Sequence, residues 1–561
     1  MSQYDFDAIV VGSGISGGWA AKELTEQGLK VLLLERGRSI TPADYQGEHK
    51  PAWQFPFRQL GDRKRYQRDY PIQSTCYAFG EPTEQFWIKD SEHPYGQDPA
   101  RPFRWIRGNH LGGKSLMWGR TSPRWGPITF EENKRDGHGV DWPIRYDDLR
   151  PWYDHVEEFI GVSGQTEYDS PFAPVGRFQP GMAMNACESF VAESIRRKFP
   201  DRRLTIAPTA VLTKPLPGRA PCHYCGPCER GCSTGSYFSS ISSTLPAAKA
   251  TGNLTVVTDS VVAGLDYDPK TRKVAGVRVI DQNTRVGKRY TARVVFLNAS
   301  TLGSTQILLN STSESFPNGI GNRSGVLGHY LMDHPYLTVS GVIPGLLDKY
   351  TIGNRPAGVW MPRFHNVERQ TAPFLRGFSY EGSASRANWT DGVSMPGYGA
   401  ALKQRLREYG PWTFAFYGFL ECLPYRDNSL TLDPVRKDKW GIPILNTRFE
   451  WGKNEREIAK YLVSDATQML EVAGATNISL PPEELPPGGF GIHEMGTARM
   501  GRDPATSFLN GHNQSHEVAN LFVTDGASMP SCSANNPSLT FMALTARAAH
   551  YAVRQMKDGV I

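Results

Sequence analysis

The sequence predicts an α/β protein in two parts, a Rossmann-like nucleotide-binding domain and an inserted α+β domain on a mainly antiparallel sheet. Three observations predict it. The first 35 residues form a βαβ unit. Segments 1–45, 215–330 and 490–561 share the texture of buried parallel strands and helices, and segment 331–489 between them alternates like antiparallel strands. The nucleotide-binding domain is therefore expected to be discontinuous, with 331–489 as the substrate-binding domain and 46–214 as loops and a cap.

Residues 7–12 (DAIVVG) are a short apolar, β-branched run that ends in glycine, 17–27 can form a helix, and 30–35 (KVLLLE) reads as a second buried strand. The stretch 45–127 is dense in aromatic residues, Pro, Gly and Arg without clean periodicity, which predicts long loops. Within it, 107–120 (RGNHLGGKSLMWGR) mixes glycines and polar residues in a way suited to backbone contact with a ligand. Residues 144–160 look helical in their second half, with Pro151 as a first-turn residue. From 253 the text is strand-like again, followed by a helical pattern in GSTQILLNS. After the strands of the middle region come a helix over 455–473, and finally strand, loop and a long C-terminal helix.

Composition narrows the function classes. With 561 residues, 39% of them apolar, the chain can build a sizeable core. The 62 basic and 56 acidic residues leave a net charge of only +6, and neither sign forms a long run, which argues against nucleic acid as a partner. No window approaches 18 uninterrupted apolar residues, so no transmembrane segment is expected. The chain passes from Met1 almost directly into a strand, so it is expected to carry no export signal of its own.

Gly12, Gly14 and Gly17 form G-x-G-x-x-G between the first strand and the first helix, and Glu35 ends the second strand. The first two glycines let the backbone turn and approach a pyrophosphate at the helix N-terminus, and the third permits close packing. The acid accepts hydrogen bonds from ribose hydroxyls. Glu35 argues against a 2′-phosphate, while FAD and NAD both remain open. Near the C-terminus, His493 lies in HEMGTARMG, and Asn536 in ANNPSLT stands just before the last helix. Alone, each has an ordinary reading: a structural histidine, and a turn or cap.

The chain as a whole resembles the glucose-methanol-choline (GMC) oxidoreductases. GSGISG, LGGKSLMWG, NASTLGSTQILLNS, GHYLMDHP, HEMGTARMG, VTDGASMP and ANNPSLT occur in that family's order. The resemblance implies a GMC-type FAD-binding domain and a catalytic pair above the flavin that maps onto His493 and Asn536. The Asn version is similar to pyranose oxidases and to sugar and glucoside dehydrogenases. It further implies that Gly113 and Ser115 face the pyrophosphate and flavin ring, Val261 the adenine through its backbone, and Asp525 the ribityl and pyrophosphate region. Where several pyranose oxidases carry a flavin-linked histidine, this chain has Leu116, Met117 and Trp118, so FAD is expected to be held non-covalently.

Cys222, Cys225, Cys228 and Cys232 have the spacing C-x₂-C-x₂-C-x₃-C found in ferredoxin cluster runs, with Ser233 where those have Pro. An iron-sulfur cluster is the leading expectation; disulfides or free thiols, and zinc, are the alternatives. A cluster of either [3Fe-4S] or [4Fe-4S] type would carry electrons to an external acceptor. The resemblance to glucoside 3-dehydrogenases implies oxidation of a secondary sugar hydroxyl at carbon 3, a small subunit that carries the export signal, a cytochrome-type acceptor and periplasmic work. The alternatives are a cytoplasmic, oxygen-using carbohydrate or glycoside oxidase without a cluster, and a non-catalytic electron-transfer flavoprotein.

Three further features are read as secondary. Trp412, Phe414, Phe416, Tyr417 and Phe419 are expected to be core or sheet packing rather than a sugar platform, Glu421 either faces substrate or is a solvated or paired carboxylate, and His334 is expected to be structural.

Overall fold

The computed structural model describes the whole chain except residues 1–3, 46, 49, 168, 348–354, 388–394 and 408. Its first layer is a five-stranded sheet of parallel neighbours in the order Leu521–Val523, Ala292–Leu297, Phe6–Val11, Val31–Leu34, Leu254–Val257. Ala8 to Val11 and Val31 to Leu34 are at most 3% exposed, because helices cover the sheet and leave these strands no wet face. The helix Ile15–Glu26 packs on Ser538–Lys557, which in turn packs on Tyr146–Ile160. Glu23 pins the three together: His155 Nε2 and His550 Nε2 each lie 2.8 Å from its carboxylate.

Not all of 253–299 joins the parallel sheet. Ser260–Asp268, Lys273–Asp281 and Gly287–Tyr290 form a separate antiparallel meander. The helix expected in the second half of 144–160 starts earlier, at Tyr146, so Pro151 stands inside it rather than in its first turn. The backbone N–H of Arg145 donates to the Asp148 carboxylate at 2.8 Å, which secures the start upstream of the proline. Segment 46–214 also holds a helix that periodicity did not reveal, Ala186–Lys198. Its start was written in Asn185 and Glu188, whose side chains each accept from the other's backbone N–H at 2.9 Å.

The second layer is a six-stranded sheet in the order Thr476–Ser479, Tyr336–Ile343, Trp412–Leu420, Phe378–Arg386, Val359–Met361, Thr205–Ile206, with antiparallel pairing throughout. Trp412, Phe414 and Phe416 are fully buried on one face, where the helix Lys453–Val472 packs. The period of two turns Tyr417 and Phe419 to the other face. There the register sets Tyr336 and Ser379 opposite Phe419, and Glu381 opposite Tyr417. That second face forms the roof of the candidate site.

Candidate active site

The three glycines of the first loop do different work. A Cβ on Gly12, whose φ is +92°, would lie 2.3 Å from the Asn298 carbonyl oxygen, and one on Gly17 would lie 1.8 Å from the carbonyl oxygen of Gly12. Both are packing requirements. A Cβ on Gly14 would meet nothing within 4 Å, and Gly14 caps the helix Ile15–Glu26 without a side-chain partner for its first N–H groups. This is open space in front of a helix N-terminus, suited to a phosphate. Gly113 closes on it from the second loop: its Cβ would come 3.5 Å from Gly14 Cα. Ser115 supports that loop from within, since the Ser240 N–H donates to its Oγ at 3.0 Å.

Glu35 is tied into the same cradle. Its Oε2 accepts from Ser13 Oγ at 2.5 Å, and Ser13 Oγ accepts from the Gly112 N–H at 2.8 Å. The acid read as a ribose acceptor therefore also locks the two glycine loops together. Burial pushes its carboxyl up from the ordinary range. Val261 lies beside it, because the Ser260 N–H donates to the Glu35 carbonyl at 2.8 Å. At the far end, Asp525 is buried, with Oδ2 accepting from Ser304 Oγ at 2.5 Å and Oδ1 from the Ala527 N–H at 3.0 Å, and burial pushes its carboxyl up to about 6. Asn298, beside Gly12, buries an amide nitrogen without a partner. Open space at Gly14, unclaimed N–H groups and an orphaned amide fit a dinucleotide.

His493 is placed by its loop. The carboxylate of Asp333 accepts the N–H groups of Gly489 at 2.8 Å, Gly491 at 3.1 Å and His493 at 2.8 Å. The imidazole packs on Phe419 with ring centroids 5.4 Å apart. Its Nδ1 lies 2.8 Å from Nδ1 of His334, and Nε2 of His334 is hydrogen-bonded to the Ser533 carbonyl. Burial pushes His334 down to about 4. Burial, with His334 and Lys114 beside it, holds His493 well below the usual histidine range, so both rings are neutral.

These contacts fix where the protons are. A carbonyl only accepts, so His334 carries its hydrogen on Nε2. A neutral imidazole has one N–H, so His334 Nδ1 is an acceptor. The N–H between the two rings then belongs to His493 Nδ1, which leaves His493 Nε2 with a free lone pair. His334, expected to be merely structural, thus selects the basic nitrogen of its neighbour. The sequence signal was its place in MDHP, next to the Asp333 that shapes the His493 loop.

The loop that carries Asn536 is joined to the same group: His334 reaches Ser533, and Ser379 Oγ on the roof donates to the Ala534 carbonyl at 2.5 Å. Trp125 Nε1 lies 3.3 Å from the Asn536 carbonyl oxygen. The side chains of Asn536 and Thr121 stand beside the carboxyl of Glu381, a roof residue that sequence reasoning did not single out, and favour its ionised form. Lys114 Nζ lies 3.0 Å from Glu494 Oε2, linking the cradle to the residue after His493.

Other expectations are corrected or decided here. Glu421 does not face substrate; it is fully buried and accepts from Arg363 Nη1 at 2.7 Å. Tyr417 and Phe419 lie on the site face rather than in the core. Cys222, Cys225, Cys228 and Cys232 are half-buried free thiols, and among the described residues no three His, Cys, Asp or Glu side chains converge as a metal site. Instead Cys222 Sγ accepts from the Tyr224 N–H at 3.4 Å, Cys232 Sγ lies 3.3 Å from Thr234 Oγ1, and burial pushes the Cys228 thiol up. Cys222, Cys228 and Cys232 nonetheless pack around the same small core of Met182, Val211 and Tyr237. Among the described residues no helix is long and apolar enough to cross a membrane.

Residues 208–336 and 424–545 match two GMC oxidoreductase models, and residues 10–55 match an NAD(P)-binding Rossmann-like domain. The chain is 28% identical to a 2-methyl-1,2-propanediol dehydrogenase of Mycolicibacterium austroafricanum, covering 99% of this chain and 96% of the relative. It is 26% identical to the fructose dehydrogenase large subunit of Gluconobacter japonicus, covering 99% and 98%. The structure of a formate oxidase from Aspergillus oryzae superposes with a TM-score of 0.62 at 15% identity over 99% of both chains, a likeness of fold.

Proposed function

The chain carries both domains of the GMC oxidoreductase family, and from that premise we propose that it is an FAD-dependent sugar dehydrogenase. Its substrate is a glucoside or related pyranose, oxidised at a secondary ring hydroxyl, carbon 3 first. When bound, the flavin supplies the acceptor for the hydride. The FAD is held non-covalently by Gly12, Gly14, Gly17, Glu35, Gly113, Ser115, Val261 and Asp525.

One observation carries the reading: His493 has its Nδ1 hydrogen committed to His334, 2.8 Å away, so Nε2 is the nitrogen left to accept a proton. An alcohol gives up hydride readily only as its hydroxyl proton departs. His493 takes that proton, and the Asn536 amide holds the same oxygen in line. The relative that is a fructose dehydrogenase supports a sugar as substrate. Its designation as a large subunit supports a small partner subunit, which in this proposal carries the export signal for periplasmic work with a cytochrome-type acceptor.

The test is an anaerobic spectrum of the purified protein before and after a panel of glucosides. Bleaching of the flavin by at least one of them is the expected result, and no bleaching across the panel refutes the reading. Acid precipitation should release all the flavin. An oxygen-using oxidase without a cluster is the second reading, favoured by a 27% identical relative that is a paromamine 6'-oxidase of Streptomyces fradiae. Stoichiometric hydrogen peroxide in air, with no dye reduction, selects it.

A further inference from the structure

Glu381 is a carboxylate that the chemistry above does not use. It stands on the strand Phe378–Arg386, on the sheet face that roofs His493, with Tyr417 opposite it in register and Phe419, which touches the His493 ring, on the same face. The side chains of Asn536 and Thr121 stand beside its carboxyl. One oxygen, Oε1, is buried without any partner. A buried oxygen with no donor costs about as much as a lost hydrogen bond, and such groups persist where a ligand completes them.

We propose that Glu381 is a specificity-determining residue, with Oε1 accepting a hydrogen bond from a second hydroxyl, adjacent to the one being oxidised. The site then selects a vicinal polyol over a monohydric alcohol. The inference rests on the reading of His493 and Asn536 above and deepens it. Asn536 holds the reacting oxygen and also stands beside Glu381, so the free carboxylate oxygen borders the reacting position. Oxygens on neighbouring carbons are separated by about a hydrogen-bond length, roughly 3 Å, so one substrate can span the pair. The surroundings favour a neutral hydroxyl over an ammonium group, since Thr121, Asn536, Ser379 and Ser383 bring polar but uncharged groups to this face.

The test uses the flavin-loaded enzyme, wild type against Glu381→Ala and Glu381→Gln, and reads anaerobic flavin reduction. The probes are methyl glucoside, its 2-deoxy and 4-deoxy counterparts, and methyl glucosaminide. The wild type should prefer the parent glucoside over at least one deoxy analogue by about 10- to 100-fold in kcat/KM, the range for a hydrogen bond to a charged acceptor. In Glu381→Ala the ratio should collapse to within about 3-fold, with Glu381→Gln between; if the alanine variant fails to hold flavin, the glutamine variant carries the test. Discrimination that survives in every variant able to hold flavin overturns the role of Glu381 while leaving the sugar dehydrogenase reading intact. No reduction by any of these probes overturns both. A wild-type preference for the glucosaminide that both variants lose assigns the carboxylate to an ammonium group and overturns the hydroxyl assignment.

Discussion

Replacing His334 with phenylalanine tests the proton assignment directly. The substitution keeps a ring of similar breadth in the fully buried slot but removes both the acceptor 2.8 Å from His493 Nδ1 and the donor to the Ser533 carbonyl. A neutral hydrogen bond contributes about 0.5–1.5 kcal/mol net, so its loss shifts the balance between the two neutral forms of His493 by roughly 2- to 12-fold away from the reactive one. The ring also loses its orienting partner, and a misplacement of about 1 Å can cost a further order of magnitude or more. The flavin reduction rate at saturating substrate should therefore fall about 10- to 100-fold, with the visible flavin spectrum unchanged. His334→Asn places an amide oxygen where Nδ1 stood and should recover most of the rate. Stopped-flow reduction under anaerobic conditions measures both. If His334→Phe reduces flavin within about 2-fold of the wild type, the imidazole pair does not set the base.

Three further outcomes follow from the same geometry. His493→Ala should lower flavin reduction by about 10² to 10⁴ while flavin stays bound, and Asn536→Ala should cost less because it removes alignment and not the base; single-turnover kinetics separate them. Gly17→Val should give a chain without flavin, because the carbonyl oxygen of Gly12 stands 1.8 Å from the new Cβ; normal flavin content on purification would contradict the packing role. Glu23→Gln should destabilise the protein at pH 7 by about 1–2 kcal/mol, since it loosens His155 and His550 and removes one of the two carboxylates paired with Lys22, which keeps Glu26. The ion pair and hydrogen bonds hold the Glu23 carboxyl below its unfolded value of 4.5, so this stability is present above that value and is lost as pH falls toward the depressed one. Urea melts at pH 7 and pH 4 should therefore show a narrower gap at the lower pH.

Much of the site was legible because its motifs are local. Gly12, Gly14 and Gly17 sit within one turn, and the constraint on each is set by neighbours a few residues away or by the adjoining strand. The start of the helix Ala186–Lys198 is equally local, in Asn185 and Glu188, while its apolar face is only weakly periodic. Pro151 was misplaced because an N-terminal bond at Asp148 moved the helix start upstream. The cysteine spacing is local too; in the fold Cys222 and Cys232 bond Tyr224 and Thr234, while Cys222, Cys228 and Cys232 share one small core.

The sequence by itself determined the α/β class and the nucleotide cradle, since strand periodicity, glycine placement and helix ends are written in short windows, and the candidacy of His493 and Asn536 through the resemblance of HEMGTARMG and ANNPSLT to GMC motifs. Only the tertiary structure decided which nitrogen of His493 is basic, that Glu381 faces the site and that Glu421 does not. Those outcomes depend on groups far apart in the chain, such as His334 and His493 or Glu381 and Asn536. Their proximity is produced by two sheets and a folded-back loop. No window of sequence contains both members of either pair, and a proton goes to whichever neighbour the completed fold supplies.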